Sequence, residues 1–142
     1  MNEAIEDLLR NVPLFADCRA PELARAASVM REVSVAPGDV LVLGPTTDTL
    51  YVVAAGTAEA AGLAVRTLAR GDSFGEELLL GDPGIPITVR AITALHLLAM
   101  DGRALLMLLD SSPVAARSML RGLLRRTRVA PASASVPSAP SA

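Results

Sequence analysis

From residue 31 to residue 72 the apolar positions fall in short runs separated by turn residues. Val33 and Val35 alternate with polar neighbours, and Pro37-Gly38-Asp39 makes a turn. Val40 to Leu43 is an apolar run, followed by a loop from Gly44 to Asp48. Leu50 to Val53 is another run, and Ala55-Gly56-Thr57 is a tight turn. Ala58 to Ala61 and Leu63 to Leu68 flank Gly62, and Gly71-Asp72 turns the chain again. Short strands with turn signals at roughly eight- to twelve-residue spacing predict an antiparallel sandwich or roll. The glycines fall between strands, where positive φ is wanted.

The period becomes helical on either side. Ile5, Leu8 and Leu9 predict a short helix over 3–11, stopped by Asn11-Val12-Pro13. Leu14-Phe15 is the first large apolar anchor. A second helix is expected near Pro21, a favoured first-turn residue, with Glu22 suiting the dipole and Leu23, Ala26 and Ala27 facing inward. After Phe74, Gly75 to Leu80 predicts one helical turn, closed by Gly81 to Gly84. Strands are expected over Ile87–Ile92 and Ala94–Met100. Asp101 is expected to cap a helix over about 102–110, and Pro113 to open a last helix reaching about Thr127. That helix carries Val114, Leu120, Leu123 and Leu124 on one side. The fold class is mainly β: an antiparallel, jelly-roll-like β-roll with N-terminal helices, a one-turn helix inside the roll and C-terminal helices.

Length allows one domain in 142 residues. It is predicted over 1–128, with a disordered Ala/Pro/Ser tail at 129–142. Hydrophobic residues are 51% of the chain but aromatics only 2%, so Leu, Val, Ile and Met must fill the core. The net charge is −2, unevenly placed. Residues 1–110 hold eight Arg and fifteen acids, whereas 111–142 hold five Arg and no acid. The whole does not read as a nucleic-acid binder. Arg117, Arg121, Arg125, Arg126 and Arg128 make a basic helix end, either a solvated face beside the C-terminal dipole or a site for an acidic partner.

One cysteine, Cys18, excludes an internal disulfide. The acidic start has no signal-peptide pattern, and no apolar stretch approaches the roughly 20 residues of a membrane span. The expectation is a cytoplasmic protein. His96 is the only histidine, so no His-based metal site or catalytic pair can be built. Ser73 lacks the flanking glycines of a nucleophile elbow. No catalytic constellation is present, and an enzyme is not expected.

With these elements in order, the chain from about Leu8 to Arg126 resembles the cyclic-nucleotide-binding domain family, which includes the sensor half of the catabolite activator protein and the regulatory subunits of cAMP-dependent kinase. The resemblance is carried by Val12-Pro13-Leu14-Phe15, Pro37-Gly38-Asp39-Val40, Asp48 to Val53 with Gly56, Gly71-Asp72-Ser73-Phe74-Gly75-Glu76 with Leu78 to Leu80, and Thr88-Val89-Arg90-Ala91. It implies that residues 71–91 contain a phosphate-binding cassette, with Phe74, Gly75, Glu76, Glu77, Leu78, Pro86 and Thr88 as candidate nucleotide-binding residues. A one-turn helix leaves its first amides unpaired, and these with the dipole favour an anion. In the family the glutamate after the cassette glycine accepts a hydrogen bond from the ribose 2′-hydroxyl. Glu76 holds that place, where it either binds ribose or caps the turn.

The family's phosphate-pairing arginine lies nine residues beyond that glutamate. Here Ile85 occupies its place and Pro86 the next, so a side-chain charge and a backbone donor are both lost. A charge-assisted contact contributes about 1.5–3 kcal/mol. Its absence predicts binding of cAMP or cGMP weakened by roughly ten- to a hundredfold. Glu77 adds a second negative charge nearby. Arg90, on one strand face with Pro86 and Thr88, is either a replacement for the missing arginine or a solvated strand residue; Arg70 raises the same question.

Two functions follow as expectations. One is a stand-alone regulatory module that senses a nucleotide-like or anionic ligand and signals through its C-terminal helices. The other is a ligand-free interaction or dimerisation module with a degenerate pocket, using helix 113–127 toward a second copy or a partner protein. In either, no DNA-binding domain follows the last helix.

Overall fold

The computed structural model describes residues 2–44, 48–62, 64–75, 86–118 and 120–121. The expected one-turn helix beyond Gly75, the turn after it, Ile85 and the Ala/Pro/Ser tail lie outside these residues.

Helix α1 spans Asn2–Arg10, a 3-10 turn spans Pro13–Phe15, and α2 spans Ala20–Ser28. Eight strands follow: β1 (Arg31–Val35), β2 (Val40–Leu43), β3 (Thr49–Ala55), β4 (Ala58–Ala61), β5 (Val65–Leu68), β6 (Ser73–Phe74), β7 (Ile87–Ala91) and β8 (Leu95–Asp101). Helix α3 spans Gly102–Ser111, and residues 113–118 are again helical. The strands form two four-stranded sheets, β1-β8-β3-β6 and β2-β7-β4-β5, with every pairing antiparallel.

The sequence of each strand reflects how many of its faces are covered. The first sheet packs helices on one side and the second sheet on the other. Its central strands β3 and β8 therefore read as almost continuous apolar runs. Leu50, Val52, Leu98 and Met100 join α1, α2, α3, Leu14 and Phe15 in one core. Val53, Leu95 and Leu97 point the other way, into the roll, and meet Leu43, Ala58, Ala60, Leu68, Val89 and Ala91 from the second sheet. That sheet has a wet outer face, so β7 alternates: Val89 and Ala91 are buried and Arg90 is exposed.

Two expectations need correction at the helix ends, and one strand was not expected. Asp101 stands at the N-cap of α3 with extended backbone but makes no side-chain cap bond. Its carboxylate lies 3.7 Å from Arg31 on β1, and the amide of Gly102 donates instead to the carbonyl of Asp48 at 2.6 Å. Among the described residues of the segment opened by Pro113, the buried ones are Ala115 and Ser118, whereas Leu120 is exposed; Leu123 and Leu124 lie outside the described residues. The cap of that segment is Ser112, whose Oγ accepts from the Ala115 amide at 3.1 Å. Finally, β6 was not expected. Ser73 and Phe74 are drawn onto the edge of the first sheet opposite Val52 and Tyr51.

Candidate functional site

The chain reaches the cassette along β6, and two contacts fix its path there. Phe74 is fully buried between the sheets and stacks on Tyr51, ring centroids 5.0 Å apart and 15° from parallel. Gly75 then adopts φ +97°, with its backbone packed against the carbonyl of Thr49. A Cβ on Gly75 would stand 2.5 Å from that oxygen. The tight turn before β6 is held by Asp72, whose carboxylate accepts from the Ala69 amide at 2.8 Å. The carbonyl of Asp72 accepts from Val53 at 2.8 Å. The backbone therefore leaves the sheet at Gly75 in a conformation that only glycine adopts without strain.

Of the other predicted site residues, the described ones, Pro86 and Thr88, are not gathered around this point. Pro86 is exposed, just before β7. Thr88 is half-buried and pairs with Val42 and Ala61, both exposed, so it lies on the outer face of the roll, away from Phe74. Arg90 shares that outer face and sits 3.4 Å from Glu59, its cross-strand neighbour. It is a solvated strand arginine, not a replacement for the missing one. Arg70 is pinned by a 2.7 Å bond to the carbonyl of Ala54. Glu76, Glu77, Leu78 and Ile85 lie outside the described residues.

One residue that the sequence reading passed over lies beside the cassette. Arg66 on β5 pairs with Ala60, which is buried. Leu68, two residues on, is fully buried. Arg66 therefore belongs to the inner face of the second sheet. Its Nη2 donates to the carbonyl of Ser73 at 3.1 Å, crossing to the strand that enters the cassette. The signal was the alternation of Arg66 with Leu68, but an arginine in a strand reads by default as an outward residue.

Away from the roll, a cavity of about 230 Å³ lies between the start of α2 and the last helix, lined by Asp17, Arg19, Val114, Arg117, Ser118 and Arg121. Cys18 is beside it. Burial pushes its thiol above the ordinary value; a hydrogen bond with Ser118 opposes this, and the carboxylates of Glu22 and Asp17 add to it. His96 is exposed, its Nδ1 3.4 Å from Ser34 Oγ. Among the described residues no cluster of three or more His, Cys, Asp or Glu could hold a metal ion. No helix among them is long and apolar enough to cross a membrane.

Two antiparallel sheets closed over an apolar interior, flanked by helices and broken at a glycine-led cassette, define a β-roll binding domain. The comparisons agree. The model of the cyclic nucleotide-binding domain family matches residues 32–112, and the chain belongs to that family. Among solved structures it is similar to the N-terminal domain of a transcriptional regulator from Streptomyces coelicolor A3(2). That match has 32% identity and a TM-score of 0.71, and it covers 87% of this chain and 94% of that one. It is similar to cAMP-bound PfPKA-R at 26% identity and a TM-score of 0.69, covering 80% of this chain and 40% of that one. It is also similar to the regulatory subunit of a cAMP-independent protein kinase A from Trypanosoma brucei. There the identity is 26% and the TM-score 0.66, covering 72% of this chain and 40% of that one. The chain thus spans two fifths of each kinase regulatory chain. No curated protein matches it. The fold is that of a regulatory, ligand-sensing module.

Proposed function

We propose that the chain senses a nucleotide-like or anionic ligand in its roll and passes the change to its C-terminal helices. The observation that carries this reading is Gly75. A positive φ and a carbonyl 2.5 Å from its missing Cβ are retained where the chain enters the cassette. Such a conformation costs a non-glycine residue about 1–3 kcal/mol, and here it falls where the resemblance puts the phosphate-binding cassette. A glycine there admits close approach of the backbone to whatever occupies the site. Glu76 supplies the ribose acceptor. With Ile85 and Pro86 where the family has its phosphate contacts, cAMP or cGMP is held weakly, by roughly ten- to a hundredfold. The matched structures include one bound to cAMP and one from a kinase described as cAMP-independent, so the fold accommodates either outcome. The protein is a binding module and not an enzyme.

Calorimetric titration with cAMP, cGMP and cyclic dinucleotides tests this. The expected result is saturable, weak binding by the wild type, lost in Glu76→Ala. Binding by Ile85→Arg alone, with none by the wild type, would overturn the sensor reading for these ligands. It would leave the second reading, a ligand-free interaction or dimerisation module. That reading draws on Leu106, Met107 and Leu120, which are exposed on α3 and the last helix.

A further inference from the structure

We infer that Arg66 supplies the cation that the cassette lacks, contacting the anionic group of the bound ligand from the opposite sheet. The inference rests on the sensor reading above and assigns a residue to it. Three observations support it. First, the register places Arg66 on the inner face: its partner Ala60 is itself opposite Val89, and both are buried. The neighbouring outward pair on the same strands is Glu59 and Thr67, so the faces are not in question. Second, the guanidinium reaches the carbonyl of Ser73, two residues before Gly75, and so stands at the start of the cassette. Third, that bond uses one donor of a five-donor fork, and among the described residues no carboxylate pairs with Arg66. By contrast, Arg90 is matched by Glu59 and Arg121 by Asp17.

An arginine on the lining of an apolar roll, accessible to solvent and with no carboxylate partner among the described residues, is placed for a planar, bidentate contact to a phosphate or carboxylate. The Ser73 carbonyl orients the fork and leaves charge to spare. The cation thus comes from β5 in place of the cassette's own arginine. The ligand class that fits is a nucleotide or small molecule carrying one anionic group, with the remainder of its surface against the roll's apolar lining.

Calorimetry with cAMP, cGMP and adenosine separates this assignment from the reading on which it rests. In Arg66→Gln, affinity for cAMP and cGMP is expected to fall alike by roughly ten- to a hundredfold. Adenosine, which has no phosphate, is expected to bind the variant and the wild type equally. Arg66→Lys should recover part of the loss, because a point charge replaces the fork. Ile85→Arg added to Arg66→Gln should recover most of it. If the wild type binds and Arg66→Gln binds as tightly, the assignment falls and the sensor reading stands. A loss confined to one base, or shared by adenosine, also overturns the assignment. No binding by the wild type overturns both. Melting temperatures of the variants, expected to stay near that of the wild type for this solvent-accessible side chain, exclude unfolding as the cause.

Discussion

Replacing Gly75 by alanine separates two costs that the roll imposes at one atom. The backbone there has φ +97°, which an L-residue adopts at a cost of about 1–3 kcal/mol. The added Cβ also meets the carbonyl oxygen of Thr49 at 2.5 Å. That oxygen belongs to β3, whose Thr49 is in register with Asp101 of β8, so it cannot move without disturbing the central ladder. Overpacking of this kind adds about 1–3 kcal/mol. Gly38 provides the control, with φ +87° and nothing within 4 Å of an added Cβ. Gly38→Ala should therefore show the conformational cost alone, about 1–3 kcal/mol, and Gly75→Ala a total of about 2–6 kcal/mol. For a chain of this length each kcal/mol corresponds to about 3–5 °C in melting temperature. Differential scanning calorimetry and urea unfolding of the two variants measure the difference directly. Equal losses in both would refute the steric argument, and so would a Gly75→Ala protein within about 0.5 kcal/mol of the wild type, a typical surface effect.

Phe74→Ala should cost about 3–5 kcal/mol in urea unfolding through the cavity it leaves. In Phe74→Leu, the part lost with the stacking on Tyr51 should be about 0.5–1.5 kcal/mol. Ser112→Ala removes the N-cap of the last helix and the 3.2 Å bond from its hydroxyl to Glu22, and should cost about 1–2 kcal/mol. At Cys18 burial penalises the thiolate, so the folded chain holds the thiol proton more tightly than the unfolded chain. The stability from this group is full below the unfolded thiol pKa and is lost as pH rises through the raised folded value. The urea midpoint of the wild type should therefore fall faster than that of Cys18→Ala as pH is raised past the ordinary thiol range, and parallel curves would contradict the shift.

The roll was legible where periodicity reports burial. Val40 to Leu43 and Ala58 to Ala61 became strands with those bounds, and the continuous runs in β3 and β8 correspond to a sheet covered on both faces. What escaped depends on partners distant in the chain. Two residues cannot show a period, so β6 exists only because Val52 and Tyr51 are there to pair with it. Asp101 has the right type for a cap, yet Arg31, seventy residues away, draws its carboxylate off. Leu120 belongs to a helical stripe on paper, but Ala115 and Ser118 are the buried residues, and Ser118 accepts from the Asp17 amide. At the candidate site the sequence pointed to Gly75, whose positive φ the structure shows, whereas Ile85 lies outside the described residues. The inward direction of Arg66, on which its proposed role rests, follows only from its pairing with Ala60.

The attachment of the last helix has a thermodynamic consequence. Asp17 donates its amide to Ser118 at 3.1 Å, Ser112 donates to Glu22 at 3.2 Å, and Arg121 lies 3.5 Å from Asp17. Among the described residues of that helix the fully buried apolar group is Ala115. Such polar contacts exchange for water at about 0.5–1.5 kcal/mol each, and parting them exposes little hydrocarbon. Undocking of residues 112–118 would thus carry a small heat-capacity change and a small denaturant slope, unlike opening of the roll. Salt, more than temperature or urea, is the variable that sets how often it leaves.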